Sequence, residues 1–238
     1  MKRSNPQAKA DHLKIKVKIF SDGALLNKST ANGDIDVNAF QSYGYFTAFN
    51  QASPQKLAAL GTTYIEPMGL FSQYHSIKAI PDGATIALSS DDANQARGLR
   101  LLAAEKLITL KSNFNDLSTI KDIQSNPHNF QFKAIDDTTG VSVLKNDKSV
   151  GAVLISNSTA QAGHLNVLKD ALAHEKVDAS TKININILAT ASKNQHNKTY
   201  QTLLSLYHNP QIQKWITKQY AGTKVEVNKS IAYLKEAK

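Results

Sequence analysis

Residues 81–105 read PDGATIALSSDDANQARGLRLLAAE, and the succession within them sets the fold class. Pro81-Asp82-Gly83 is turn chemistry, because proline presets the bend and glycine tolerates positive φ. ATIALSS (84–90) is short and apolar, which predicts a largely buried strand running into a helix. Asp91 or Asp92 then stands where a side-chain oxygen accepts from the free amides of a helix start near residues 90–92. The helix continues through Leu102 and Glu105. Strand, turn and helix in this order are the repeating unit of an α/β fold.

Outward from this unit the alternation continues. LKIKVKIF (13–20) reads as a strand whose Lys14, Lys16 and Lys18 form a wet face against Ile15, Val17 and Ile19. Residues 38–50 have helical content around aromatic positions. FQFKAI (130–135) is strand-like, 138–146 fits a short helix, and VGAVLIS (150–156) is the clearest buried strand. ININILAT (183–190) alternates Asn184 and Asn186 against Ile183, Ile185 and Ile187, again as a strand. The tail holds two helices. Tyr200, Leu203, Leu204 and Tyr207 recur at helical spacing, and Ile212, Trp215 and Ile216 repeat the pattern after Pro210; such stripes are expected in the core. No internal repeat is present. The expected class is α/β, with a mainly parallel sheet in each of two lobes.

The 238 residues correspond to one large or two small domains at roughly 150 residues each. With 28 basic and 19 acidic residues the formal charge is +9. The charge is spread along the chain, and neither a zinc-finger spacing nor an aromatic RNA-sheet motif accompanies it, so nucleic acid is not an expected partner. The absence of cysteine excludes a cysteine-ligated metal, a thiol nucleophile and lipid attachment through cysteine within these residues. No segment approaches the ~18 to 20 apolar residues of a membrane span. The opening MKRSNPQAKADHLK is basic without an apolar segment behind it, unlike a secretory signal.

Catalytic and cofactor signatures are also missing. There is no GxGxxG or Walker loop, and no serine sits in a nucleophile elbow. His12, His75, His128, His164, His174, His196 and His208 lack metal-ligand spacing. Asp91-Asp92 and Asp136-Asp137 fall at turns or element ends, where carboxylates accept backbone hydrogen bonds. Neither an enzyme activity nor a cofactor is expected.

Five ordered segments carry a resemblance: residues 20–46 (FSDGALLNKSTANGDIDVNAFQSYGYF), 61–88 (GTTYIEPMGLFSQYHSIKAIPDGATIAL), 91–102 (DDANQARGLRLL), 150–163 (VGAVLISNSTAQAG) and 183–190 (ININILAT). The tail NPQIQKWITKQYAGTKVEV fits as well. Together they resemble the methionine-binding lipoproteins of bacterial ABC importers, the MetQ/NlpA family, from about residue 12 to the end. The resemblance implies a periplasmic-binding-protein-like (type II) fold of two α/β lobes with a ligand cleft between them. Lobe one is expected over 12–86 plus 187–238 and lobe two over 87–186, with a hinge where the strands cross. The implied function is non-enzymatic: methionine, a related amino acid or a short peptide is bound and passed to a membrane permease. The family is lipid-anchored on the outer face of the membrane. This chain as written lacks a signal peptide and lipobox cysteine, which gives a cytoplasmic expectation for it.

The resemblance also assigns residues. Asn94 and Arg97 match an N-x-x-R at a helix start, one turn apart on one face. An arginine fork there takes an α-carboxylate bidentately. Asn186 lies between Ile185 and Ile187, pointing opposite to them, where its amide can serve an α-ammonium or a carboxylate. Phe40, Tyr45 and Tyr64 match aromatics around the methionine thioether, a contact of about 0.3 to 1.5 kcal/mol. Asn157 retains one of two family asparagines; Ile155 replaces the other. Further departures are Ser42 for the histidine of F-Q-H, Gly23 for the tyrosine of D-Y, Ser158 for a tyrosine, and Asn184-Ile185-Asn186 for Tyr-Val-Asn. Each lost buried polar contact costs ~1 to 3 kcal/mol, which implies weakened methionine affinity or another small ligand.

At the front, relatives carry a first β-α unit that supplies a central strand of lobe one, and this chain starts at what corresponds to the second strand. The resemblance therefore implies an incomplete lobe one, whereas a complete fold would be monomeric. The alternative function is a truncated or degenerate copy that keeps the fold as a non-transport interaction module.

Overall fold

The computed structural model describes residues 13–20, 22–176 and 178–235. The chain divides into two units: residues up to Ile65 together with those from Asp178 onward form the first, and the stretch beginning at Glu66 forms the second. These divisions precede the expected 86/87 and 186/187 boundaries. The reason is pairing. Gly69–Ser72 joins the sheet of the second unit, so the chain passes into that unit at Glu66.

The chain enters the first unit with Leu13–Phe20, then helix α1 (Gly23–Asn32), strand β1 (Val37–Asn38), helix α2 (Tyr43–Ala52), β2 (Leu57–Thr62) and β3 (Tyr64–Ile65). Asp22 caps α1 by accepting from Leu25 N–H, and Gly33, at φ +94, closes it in the left-handed conformation that glycine adopts without penalty.

The second unit follows with β4 (Gly69–Ser72), β5 (Thr85–Ser89), α3 (Asp92–Ala104), β6 (Thr109–Leu110), β7 (Ile123–Ser125), β8 (Gln131–Ile135), α4 (Gly140–Asn146), β9 (Val150–Ile155), α5 (Asn157–Ala162), α6 (Val167–Asp170) and β10 (Ala173–His174). Its main sheet has the order β10-β4-β9-β5-β8. Only β5 pairs in parallel, with β8 and β9; β4 pairs antiparallel with β9 and β10. The sheet is mixed rather than mainly parallel. Period-2 alternation splits its strands between two cores. Ile86, Leu88, Ala152 and Leu154 pack with Leu99 and Leu102 of α3, whereas Ala87, Val153 and Ile155 pack with Val141, Ala160 and Val167. Both faces are covered, which is why these strands read as unbroken apolar runs.

The chain returns to the first unit through a 3-10 segment (Ala179–Asn184), β11 (Ile187–Ala191), α7 (Lys198–Tyr207), α8 (Pro210–Gln219), β12 (Val225–Glu226) and α9 (Ile231–Lys235). The sheet here is β1-β11-β2, antiparallel throughout, with a small β12-β3 ribbon beside it. This too corrects the parallel expectation. The strand expected over 183–190 begins only at Ile187, because the 3-10 turns reach Asn184.

Two further expectations fail in this unit. Leu13–Phe20 forms no strand, since it pairs with none among the described residues, and Ile19 is 94% exposed. On α8, Ile216 is buried but Trp215 is 51% exposed, its ring set edge-on to Tyr220.

Candidate functional site

The seven residues singled out from sequence fall into two sets, one in each unit. In the second unit, Asp91 accepts from Asn94 N–H at 2.9 Å and so starts α3 where sequence places it. Arg97 follows one turn later. Its Nε donates to both Glu175 carboxylate oxygens, at 2.8 and 2.9 Å, and its Nη2 donates to Glu175 and to the Glu66 carbonyl at 2.6 Å. The pair is largely enclosed, with side-chain exposures of 16% and 6%. Nε and Nη2 are therefore engaged within the protein, and Nη1 makes no hydrogen bond among the described residues. Glu175 also accepts from Met68 N–H at 2.8 Å.

Asn157 is the first residue of α5, directly beyond the buried strand β9. It is buried, and its Nδ2 donates to Glu66 Oε1 at 2.9 Å. Its Oδ1 is buried without a partner, the one such side-chain atom among the described residues. A buried acceptor of this kind costs about 1 to 3 kcal/mol unless something donates to it. Glu66 thus links the two expected residues, through its carbonyl to Arg97 and its carboxylate to Asn157. Sequence reasoning missed Glu66 and Glu175. Glu66 lies within the resembling segment GTTYIEPMGLF, whereas no pattern around Glu175 marks it. Asn94 is half-buried, and its side chain makes no hydrogen bond among the described residues.

In the first unit, Ser42 accepts from Tyr45 N–H and caps α2, and it forms an isolated antiparallel bridge with Asn186. Asn186 N–H donates to the Tyr64 carbonyl at 2.8 Å, and the Asn186 carbonyl accepts from Thr63 N–H and Oγ1. These backbone bonds bring Ser42, Tyr64 and Asn186 together. As the alternation predicts, Ile185 and Ile187 are buried, Asn186 less so, and its amide is without a hydrogen bond among the described residues.

Phe40 and Tyr45 meet edge-to-face at 5.8 Å, and both remain about two-fifths exposed. The glycine at position 23 shapes this pair: a Cβ there would lie 2.6 Å from Phe40 Cε2 and 3.3 Å from Tyr45 Oη. A larger residue at 23 would displace the Phe40 ring. The segment between β1 and α2 is held from behind by a buried amide network. Gln41 and Asn27 exchange hydrogen bonds at 2.8 and 2.9 Å, Gln41 donates to Asn38 at 2.8 Å, and Asn38 donates to Asn27 and Thr30. All four residues are buried and their amide groups are partnered, so Gln41 is fixed between Phe40 and Ser42.

Tyr64 is less open than expected, because Lys224 Nζ lies 4.4 Å from its ring centroid and 4.6 Å from that of Tyr220. Nearby Tyr207 has its phenol pushed up to about 12, chiefly by burial, then by Tyr64, with Lys224 opposing.

The set in the second unit offers a donor suited to a carboxylate, Arg97 Nη1, and an acceptor suited to an ammonium, Asn157 Oδ1. No group of three or more metal-ligating side chains occurs among the described residues. No helix among them is long and apolar enough to cross a membrane.

Comparison with known proteins gives a consistent picture. The sequence profile of the NlpA lipoproteins matches residues 1–228. The methionine-binding lipoprotein MetQ of Bacillus subtilis strain 168 is 34% identical over 233 residues, which span 96% of this chain and 83% of the relative. The crystal structure of protein PG110 from Staphylococcus aureus superposes with a TM-score of 0.86 at 35% identity, over 97% of this chain and 91% of that one. A nutrient-binding protein from Burkholderia cenocepacia, solved bound to methionine, gives 0.82 at 30% identity over 92% and 90%. In sequence along nearly its whole length, and in the α/β fold of its units, the chain belongs to the NlpA lipoprotein family.

Proposed function

We propose that this protein binds methionine, or a related amino acid or short peptide, and delivers it to the permease of an ABC importer. The observation that carries the reading is the buried Asn157 Oδ1, which has no donor of its own and sits beside Glu66, one hydrogen bond away from Arg97. An α-ammonium satisfies that acceptor, and the Arg97 Nη1 edge meets the α-carboxylate. Asn94 adds an amide to the same set. Asn186 with Phe40, Tyr45 and Tyr64 is the corresponding set of the first unit, with the aromatic rings suited to a thioether. The likeness to a relative named for methionine binding, and to a structure bound to methionine, supports the choice of ligand. The role is that of a binding protein rather than an enzyme.

Calorimetric titration with L-methionine tests the reading: a 1:1 isotherm that weakens in Asn157→Leu supports it. A flat titration at millimolar methionine, repeated with other amino acids and short peptides, removes it. A second reading, in which the fold is kept as a non-transport interaction module, draws on the occupancy of the Arg97 fork by Glu175. It predicts that flat outcome.

A further inference from the structure

Asn157, with its buried and unpartnered Oδ1, stands at the start of α5 between two hydroxyl side chains that reach one carboxylate. Ser156 Oγ donates to Asp137 Oδ2 at 2.8 Å, and Thr159 Oγ1 donates to the same oxygen at 3.0 Å. Ser156 occupies the N-cap position of α5, where a serine hydroxyl ordinarily accepts from a first-turn amide. Here it makes no such bond and is turned to Asp137 instead. Asp137 opens the 3-10 turn Asp137–Thr139 that follows β8, so the loop after one strand is tied to the helix after another, β9. Its neighbour Asp136 does what a turn carboxylate commonly does and accepts from Thr138 N–H at 2.9 Å. Asp137 accepts from no backbone amide among the described residues. It is half-buried, its partners are two neutral hydroxyls, and it forms no ion pair among the described residues.

We propose, resting on the amino-acid site already proposed around Asn157 and Arg97, that Asp137 is a specificity-determining residue: its charge selects ligands that carry a free, protonated α-amine. Asn157 Oδ1 is a neutral acceptor and by itself serves an ammonium, an N-acyl amide or a hydroxyl alike. The first-turn amides of α5, on Asn157, Ser158 and Thr159, have no partner within the helix and carry partial positive charge, which opposes a cation brought to this end. A carboxylate held at the same end reverses that balance. The two hydroxyls fix where Asp137 sits without neutralising it, because neither brings a positive charge. Glu66, which accepts from Asn157 Nδ2 at 2.9 Å, sets a second carboxylate at the same residue. A ligand whose amine is acylated or replaced by hydroxyl keeps a hydrogen bond to Asn157 Oδ1 and gains nothing from either charge.

The test uses the full chain and two ligands of nearly equal shape: L-methionine and its α-hydroxy analogue, in which a hydroxyl replaces the ammonium. Calorimetric titration should show the parent protein binding methionine more tightly than the analogue. Asp137→Asn keeps an oxygen that accepts from both hydroxyls and removes the charge. It should weaken methionine about three- to tenfold, the size of one charge interaction at an effective dielectric between those of a protein surface and of water. The analogue, which is an anion, should bind this variant as well as it binds the parent or more tightly. The ratio of the two affinities is the readout, so a variant of altered stability still reports. Asp137→Ala, which also releases Ser156 and Thr159, should lower that ratio at least as far. If Asp137→Asn weakens both ligands by the same factor, Asp137 merely supports α5 and the proposal is overturned, while the amino-acid site stands. A parent that binds the analogue as tightly as methionine overturns it as well. A parent that binds neither ligand removes the amino-acid site, and this role of Asp137 with it.

Discussion

Arg97 and Glu175 form a nearly enclosed pair in which Nε contacts both carboxylate oxygens, and Glu175 also holds Met68 N–H. The guanidinium is thus positioned by the protein before any ligand arrives, with Nη1 left over. Arginine is suited to this divided use because its five donors lie in one rigid plane.

Arg97→Ala should act twice. Binding of an α-amino acid should weaken by about 2 to 5 kcal/mol, the range for removing one partner of a buried charged contact. Stability should fall as well, by about 3 to 5 kcal/mol, because the buried Glu175 carboxylate loses its arginine partner. Glu175→Gln keeps an acceptor for Met68 N–H while lifting neutralisation from Arg97, so carboxylate affinity should rise by about 1 kcal/mol. Titration calorimetry and denaturant melts on both variants check the opposite signs. Unchanged affinity in Arg97→Ala would remove this residue from the site.

Asn157→Leu separates ligand binding from folding. Asn157 gives up one hydrogen bond to Glu66, but the substitution also removes a buried acceptor without a donor. Stability should therefore change by no more than about 1 kcal/mol, whereas ligand affinity falls by about 1 to 3 kcal/mol. A loss seen only in the melt, with affinity intact, would assign Asn157 a packing role.

Ser42 does more than leave space where the family resemblance implies a histidine. Its hydroxyl caps α2 through Tyr45 N–H. Ser42→Ala should cost about 1 kcal/mol, or about 2 to 4 °C in Tm for a chain of this size. Ser42→His should lower Tm to a similar extent while raising methionine affinity through the added donor. If affinity stays flat in a variant with native circular dichroism, the other departures around the site dominate.

Tyr207 supplies a pH dependence. Its folded-state pKa, about 12, lies above the ordinary tyrosine value near 10, because burial disfavours the phenolate. The folded state therefore holds its proton more tightly. Its contribution is fully present below about pH 10 and is lost as pH rises from about 10 to about 12. At the upper end the loss approaches about 2 kcal/mol. Tyr207→Phe should flatten the fall in urea midpoint over that window, and an identical alkaline slope in both proteins would contradict the assignment.

The local sequence determined much of this protein by itself. Val150–Ile155 and Thr85–Ser89 are apolar on both faces, and a strand of that composition must be covered on both sides, as these are. Asp91 at the start of α3 and Asn209-Pro210 at the start of α8 act through neighbouring amides, so their roles follow from spacing alone. The side-chain alternation around Asn186 is equally local. Tertiary structure decided whatever depends on a distant partner. LKIKVKIF has the pattern of a strand, yet a strand exists only where another supplies its hydrogen bonds, and none among the described residues is paired with it. Strand direction was hidden for the same reason: β4 turns the second sheet mixed by pairing with β9, some eighty residues on. So was the partner of Arg97. Glu175 stands 78 positions away in a stretch with no motif, and only the folded chain sets the two carboxylate oxygens against Nε.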